Sequence, residues 1–478
     1  MCIRDRLSKL SLFQGDRLVD HLKCKEVIEA LKEIHNHFVC VATDKCSNNV
    51  SIICKRYYLE MIDKELKNNF EVINEHADEI IKKQKPFLKN YNINITSQYQ
   101  QLPMLYATCK QHKQPVKFRY ITSTTKGSIK PLAIVLKHCL KAIQLEVIKR
   151  CKYYDAKFKY KIKSCFIADN NAGVREAIYR INQSCPSMEN VSSFDFDTLY
   201  TSLPLDLIKN TLKSIIEDTF NYLDKKFIRV AYNKAYFSHS DKKYGNHKIL
   251  DKDDLIELLS FLIDSSFIQY KGKVFRQHIG IPMGIDPAPF MANLFLHFYE
   301  NTFVTNLINS GDLDIAKRLR FTFRYIDDLL NINDKEYFEN NLSEIYPNVL
   351  KLTKTNNNKL NTEFLDLNIN IVDNRIISTV FDKRRAFAFK VINYPNVKHS
   401  NIPTQPAYGI YLSQIMRIIR LCNKYDHFQN ELNILTNEFL CKGYKRDKLI
   451  IMFNKFIVRY PKEWGKFGVE IELPEPLK

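Results

Sequence analysis

The stretch Phe323-Arg324-Tyr325-Ile326-Asp327-Asp328-Leu329-Leu330-Asn331-Ile332 constrains this chain more than any other. Two adjacent carboxylates sit between apolar runs, which predicts a strand–turn–strand hairpin over residues 321–332 with the acids on the tight turn. Buried side by side, two carboxylates repel each other and lose solvation, so such a pair calls for a cation. The competing reading is an exposed hairpin tip with two solvated aspartates, the ordinary place for charge.

A second string shifts the balance. Ser193-Phe194-Asp195-Phe196-Asp197-Thr198-Leu199-Tyr200 puts an acid at the end of a short apolar strand, with an aromatic five residues later. Phosphoryl transfer by two metal ions about 3.5–4 Å apart needs carboxylates from separate strands that bridge both ions. One ion lowers the pKa of an attacking 3′-hydroxyl and the other stabilises the leaving pyrophosphate. Asp195 and Asp327 fit the bridging positions, with Asp328 close by. Asp197 points the same way as Asp195 on a strand, so spacing leaves both open. Between these strings, Arg276-Gln277-His278-Ile279-Gly280-Ile281-Pro282-Met283-Gly284 sets two glycines four apart around a proline. That pattern permits close backbone approach to a flat or phosphorylated ligand, or makes a plain turn before a helix starting at Ala288.

Charge is distributed to match. The net +19 of the 478 residues points to a polyanionic partner, nucleic acid before acidic membrane. Residues 101–165 carry 15 Lys+Arg against 2 acids, and residues 383–462 carry 15 against 4. Residues 191–382, which hold the acidic strings, carry 22 against 26. A DNA-packaging protein would explain the basic excess but not this acidic centre. With 12% aromatic and 45% hydrophobic residues the chain can bury a large core in two to four subdomains, which excludes disorder as its main state. The 12 cysteines show no C-x-x-C pair and no zinc spacing, and no signal-peptide pattern opens the chain, so an intracellular protein with reduced thiols is expected. No apolar run approaches the roughly 18 residues of a membrane span. Met1–Arg6 follows no structural pattern and leaves the true start open.

Periodicity predicts helices over 17–36, 58–91, 132–151, from about 204, over 251–268 and over 288–308, and a basic helical region over 411–462. It predicts β runs within 37–54 around an Asp-Lys-Cys-Ser-Asn-Asn turn, at 118–122, at 193–196, a strand and loop over 274–281, and two strands within 362–381.

Asp195 with Tyr200, Gln277 to Gly284, and Tyr325-Ile326-Asp327-Asp328 resemble, in order and spacing, motifs A, B and C of reverse transcriptases. Leu105 to Lys113, Arg119-Tyr120-Ile121, Leu199-Tyr200-Thr201, Gly280 to Gly284 and Phe364-Leu365-Asp366-Leu367 resemble the Penelope-like retroelement group, which is related to telomerase. The likeness runs from about residue 38 to about residue 460. It implies an α+β right-hand polymerase of fingers, palm and thumb, with an antiparallel palm sheet and a helical thumb. Residues 1–100 would form an N-terminal helical and strand extension, 101–190 the fingers, 191–382 the palm with a helical insertion at about 205–268, and 383–478 the thumb and C-terminal tail. The implied activity is RNA-directed DNA polymerisation in the nucleus, extending a DNA primer on an RNA template with dNTPs. Two Mg²⁺ ions, with Mn²⁺ as a substitute, would sit on Asp195, Asp327 and Asp328.

The same resemblance assigns the remaining roles. Tyr200 matches the residue that blocks a ribose 2′-hydroxyl, where an RNA-templated RNA polymerase is expected to carry Asp. Lys110, Lys113 and Arg119 match finger positions on the triphosphate, and Gln277 and Gly284 match residues that guide template and nucleotide. Arg417 and Arg420 suit a thumb helix on duplex phosphates. Lys351 and Lys354 lie where a proton-donating lysine is found, though a solvated charge fits as well. Asp366 reads as structural, and Asp44-Lys45 matches a motif of the group with no physical role to argue. Gly409-Ile410-Tyr411 matches half of a GIY-YIG nuclease signature without the other half, and His278 and His399 lack partners at ligand spacing. The rival reading is a co-opted nucleic-acid-binding protein that keeps the fold without activity.

Overall fold

The computed structural model describes residues 25–111, 113, 115–159, 161–184, 187–242, 245–281, 284–398 and 402–478. Helix α1 (Lys25–His37) leads into a hairpin of β1 (Phe38–Thr43) and β2 (Cys46–Cys54), then α2 (Lys55–Asn69), β3 (Phe70–Ile73) and α3 (Ala77–Asn90). β4 (Met104–Lys110) and β5 (Lys117–Ser123) pair before the long α4 (Lys130–Lys157) and α5 (Ala172–Ser184). After β6 (Val191–Asp197) come α6 (Leu205–Leu223), β7 (Phe227–Ala231), β8 (Lys234–Ser238), β9 (Lys248–Asp251) and α7 (Lys252–Asp264). β10 (Phe267–Tyr270) and β11 (Lys273–Gln277) precede α8 (Ala288–Asn309). β12 (Thr322–Tyr325), β13 (Asp328–Ile332), β14 (Lys351–Lys354), β15 (Asn361–Phe364), β16 (Leu367–Val372) and β17 (Arg375–Val380) follow, and α9 (Thr404–Leu421), α10 (Tyr425–Cys441) and α11 (Arg446–Arg459) close the chain.

Three expectations need correction. The helix over 58–91 is broken by β3, whose Phe70–Ile73 pairs with β11 across some two hundred residues, a contact that no local pattern signals. The insertion at 205–268 is helical only at its ends, because β7, β8 and β9 form an antiparallel sheet between α6 and α7. The stretch 362–381 makes three strands rather than two. Residues 17–24 of the first predicted helix, Pro282, Met283 and His399 lie outside the described residues.

Among the described residues the strands form four sheets, ordered β2-β1-β4-β10-β11-β3 with β5 beside β4, β12-β13-β6-β14, β15-β16-β17 and β8-β7-β9. The second matters most for function. Alternation along β6 sends Phe194 and Phe196 into a core shared with α4, α6 and α8, while Val191 joins a second core with β16, β17 and the C-terminal helices. Helix α8 is apolar nearly all round and is buried accordingly, as Met291, Ala292, Leu294, Phe295 and Leu296 show. Helix α7 starts on a reciprocal cap: Asp251 accepts from the Asp254 amide at 2.8 Å, and Asp254 accepts from the Asp251 amide at 3.1 Å.

The β1–β2 hairpin meets the segment between β17 and α9. In the β1–β2 hairpin, Asn49 donates from Nδ2 to the Lys390 carbonyl (3.1 Å) and accepts at Oδ1 from the Ile392 amide (2.9 Å), while Asn48 donates to the Ile392 carbonyl (3.1 Å). Among the described residues no helix is long and apolar enough to cross a membrane.

Candidate active site

Register brings the acids together. β6 and β13 pair antiparallel with Asp195 opposite Asp328, and Asp327 sits on the turn that joins β12 to β13. The turn is bound to its neighbour, since the Phe196 amide donates to the Asp327 carbonyl at 3.3 Å. Within it Ile326 adopts φ +55°. A two-residue hairpin needs a positive φ at this place and normally takes glycine there. A β-branched residue at such a φ costs roughly 1–2 kcal/mol, so the surrounding structure must hold it.

Beneath the turn lies a polar cluster that the sequence reading missed. Arg324 is fully buried and donates to both Glu300 oxygens (2.5 and 3.0 Å), to the Asn293 side-chain oxygen (2.9 Å) and carbonyl (3.1 Å), and to the Ile326 carbonyl (3.2 Å). The Tyr346 hydroxyl donates to Glu300 at 2.8 Å. In sequence Arg324 is one polar residue in an apolar strand, and nothing local announces its partners on α8.

A cavity of about 1070 Å³ opens in front of Asp195 and Asp328, with Asp327 outside its lining, and is bounded further by Lys45, Lys113, Tyr325, Asp366, Lys383, Arg384 and Arg417 with an Asn-rich loop at 356–358. Burial, then repulsion from Asp327, raises the Asp195 carboxyl above the usual range, while Lys383 and Lys113 oppose the rise. Burial and Asp327 push Asp328 up to about 6, against Lys383 and Lys45. The negative charge is therefore only partly balanced by the protein's own cations. Lys45 and Lys383 come from parts of the chain with no sequence proximity to the acids. Lys45 sits on the β1–β2 turn at φ +66° and, though exposed, lines the cavity.

The other predicted residues divide. Lys113 lines the cavity, and Lys110 lies near Arg119, Asp44, Lys113 and Asp195, with burial and then Arg119 lowering its ammonium. Arg119 is already paired with the nearly buried Asp44 at 2.8 Å, which gives the Asp44-Lys45 pair a physical role: one residue anchors, the next faces the cavity. Tyr200 packs on the main core, and its hydroxyl is raised by burial and by Asp327. Its carbonyl accepts from the Ile281 amide at 2.6 Å, and a Cβ on Gly280 (φ +84°) would lie 2.3 Å from that same oxygen. The loop after β11 is thus seated against Tyr200, which accounts for Gly280. Gly284 (φ +103°) is seated differently: a Cβ there would lie 2.4 Å from the Thr122 carbonyl of β5, and the Thr124 hydroxyl donates to the Gly284 carbonyl at 2.9 Å. Gln277 is buried and donates to the Ile279 carbonyl at 2.7 Å, on a separate groove with His278. Neither Gln277 nor Gly284 is among the residues lining the carboxylate cavity.

Arg417 lines the cavity and donates to Asp366 at 3.2 Å, whereas Arg420 turns to Glu463 at 2.9 Å. Asp197, left open by spacing, is exposed and accepts from Thr353 at 2.7 Å, outside the cavity. Lys354 is taken up by Glu339 at 2.5 Å, and Lys351 is exposed opposite Asp197. Gly409 lies inside α9, not in a nuclease-like context.

Among the described residues no group of three or more His, Cys, Asp or Glu side chains is arranged as a cation cage. The donor set nonetheless suits Mg²⁺, which takes one or two carboxylates and completes its octahedron with water and substrate phosphates.

No family model matches the chain, and no curated protein does. Solved structures do. The telomerase of Candida albicans, determined with a TWJ fragment of telomeric RNA, aligns over 94% of this chain and 71% of that one at 14% identity and a TM-score of 0.57. The apo telomerase of Candida tropicalis aligns over 95% and 77% at 10% identity with a TM-score of 0.49. The Sicinivirus 3Dpol RNA-dependent RNA polymerase aligns over 84% and 74% at 8% identity with a TM-score of 0.38. The first likeness carries the argument, and what it establishes is the fold: a mixed α/β chain similar to telomerase and compatible with a polymerase architecture.

Proposed function

We propose that this chain is an RNA-directed DNA polymerase of the Penelope-like kind, extending a DNA primer on an RNA template. One observation carries the reading: Asp195 and Asp328 face each other across β6 and β13, with Asp327 on the strained turn and Tyr200 beside it. In this reading the sheet β12-β13-β6-β14 is the palm, the β4–β5 region belongs to the fingers, and residues 383–478 form the thumb and tail.

Asp195, Asp327 and Asp328 would hold two Mg²⁺ ions, which supply activation of the primer 3′-hydroxyl and stabilisation of the pyrophosphate leaving group. The chain's own groups do the rest. Lys113 and Lys110 approach Asp195 from the β4–β5 side, where phosphates of a dNTP would lie. Tyr200, fixed through its carbonyl by Ile281, would exclude a 2′-hydroxyl. Arg417, held by Asp366, offers a donor to the nucleic-acid backbone on the far side of the cavity.

Purified protein given oligo(dT) on poly(rA) with Mg²⁺ should incorporate dTTP, and Asp327→Ala should abolish extension while leaving template–primer binding and folding intact. Tight binding of template–primer by wild type without any extension would favour the inactive binding protein instead.

A further inference from the structure

Arg324 makes more bonds than a core ion pair requires. Asn293 and Glu300 stand seven residues apart on α8, two turns along one face, and both are engaged by a single guanidinium. Its backbone is fixed as well: the Arg324 amide donates to Phe166 at 2.7 Å and its carbonyl accepts from Ala168 at 2.8 Å, adding segment 166–168 to the sheet edge. A lysine has three donors at one point and does not reproduce this fork. Buried ion pairs by themselves add little stability over apolar replacements, so stability alone does not explain the cluster. The telling bond is the one to the Ile326 carbonyl. That oxygen belongs to the peptide that enters Asp327, from a residue held at φ +55°.

We propose that Arg324 is a positioning residue: through the Ile326 carbonyl it fixes the peptide leading into Asp327, and so sets Asp327 and Asp328 relative to each other for a divalent cation. Glu300, Asn293 and Tyr346 orient the guanidinium for that task. The inference rests on reading Asp195, Asp327 and Asp328 as the cation-binding set.

Mn²⁺ binding to the full chain without nucleic acid, followed by electron paramagnetic resonance, tests it directly, with Asp327→Asn as the reference. Template–primer affinity and the thermal midpoint are measured alongside. Arg324→Lys should weaken Mn²⁺ binding by about tenfold or more, the usual scale for losing a group that orients ligands, while template–primer affinity stays within about twofold. Glu300→Gln, which leaves the guanidinium but loosens its grip, should act in the same direction and serves where Arg324→Lys does not fold. Ile326→Gly removes the strain that needs holding, so Arg324→Lys should cost less Mn²⁺ affinity in that background. Folded variants with wild-type Mn²⁺ affinity would overturn the inference, as would losses of Mn²⁺ binding, template–primer binding and melting temperature that run in step. Wild-type Mn²⁺ binding indifferent to Asp327→Asn would overturn the underlying site reading too; binding that depends on Asp327 but not on Arg324 would overturn the positioning role alone.

Discussion

Replacing Asp328 with Asn should stabilise the cation-free protein. In the folded chain burial, then Asp327 and Asp195, push this carboxyl up to about 6, opposed by Lys383 and Lys45. An unfolded aspartate titrates near 4. The folded state therefore holds the proton more tightly: its contribution is fully present below about pH 4 and is lost as pH rises through about 6. At about 1.4 kcal/mol per unit, the gap of about 2 units sets a ceiling near 3 kcal/mol on what ionising Asp328 costs the fold. Relaxation of the neighbouring charges lowers this, so Asp328→Asn should gain about 1–3 kcal/mol at pH 7.5. Urea unfolding of both proteins in EDTA at pH 4.5, 6 and 7.5 reads the difference, which should shrink toward acid. Added Mg²⁺ should narrow it again, because wild type gains more from binding than the variant. Equal stabilities at pH 7.5 in EDTA, or a gap that persists unchanged at pH 4.5, would refute the electrostatic account.

Other outcomes follow from particular contacts. Lys383→Met removes the cation that most opposes protonation of Asp195 and Asp328, so the acid limb of the extension profile should move to higher pH; an unmoved limb would remove Lys383 from the site. Gly280→Ala places a methyl 2.3 Å from the Tyr200 carbonyl and should lower both melting temperature and dTTP incorporation, by more than the roughly 1 kcal/mol of a strained φ alone. Tyr200→Val should admit ribonucleotides, and unchanged sugar discrimination in primer extension would sink its assignment. Asp44→Ala frees Arg119 from its 2.8 Å partner and should raise the KM for dNTP with little change in kcat, whereas an unchanged KM would leave the pair purely structural.

The carboxylates were legible because their signal is local: an acidic pair between apolar runs reads as a hairpin turn, and the alternation around Asp195 reads as a strand. Glycine spacing pointed to close approach by a ligand or to a plain turn, whereas Gly280 meets Tyr200's backbone and Gly284 meets Thr122. What stayed hidden depends on pairing across long separations. β3 finds β11, Lys45 and Lys383 reach acids that lie far off in sequence, and Arg324 finds Glu300 and Asn293 on a helix whose own pattern is almost wholly apolar. Helical spacing put Arg417 and Arg420 on one face, but Glu463, a residue of the C-terminal segment, draws Arg420 away. The sheet β7–β8–β9 escaped notice because its short strands lie in a polar, lysine-rich stretch between two strong helices.

The contact between the β1–β2 hairpin and residues 390–392 has a topological meaning. It joins the hairpin that carries Lys45 directly to the segment that follows Lys383 and Arg384, so two cation-bearing sides of the cavity are linked to each other as well as through the core. The latch consists of three exposed amide hydrogen bonds, each worth about 0.5–1.5 kcal/mol. Together they amount to roughly 3 kcal/mol, well below the roughly 5–15 kcal/mol that holds a whole fold, so this closure is far weaker than the two parts it links.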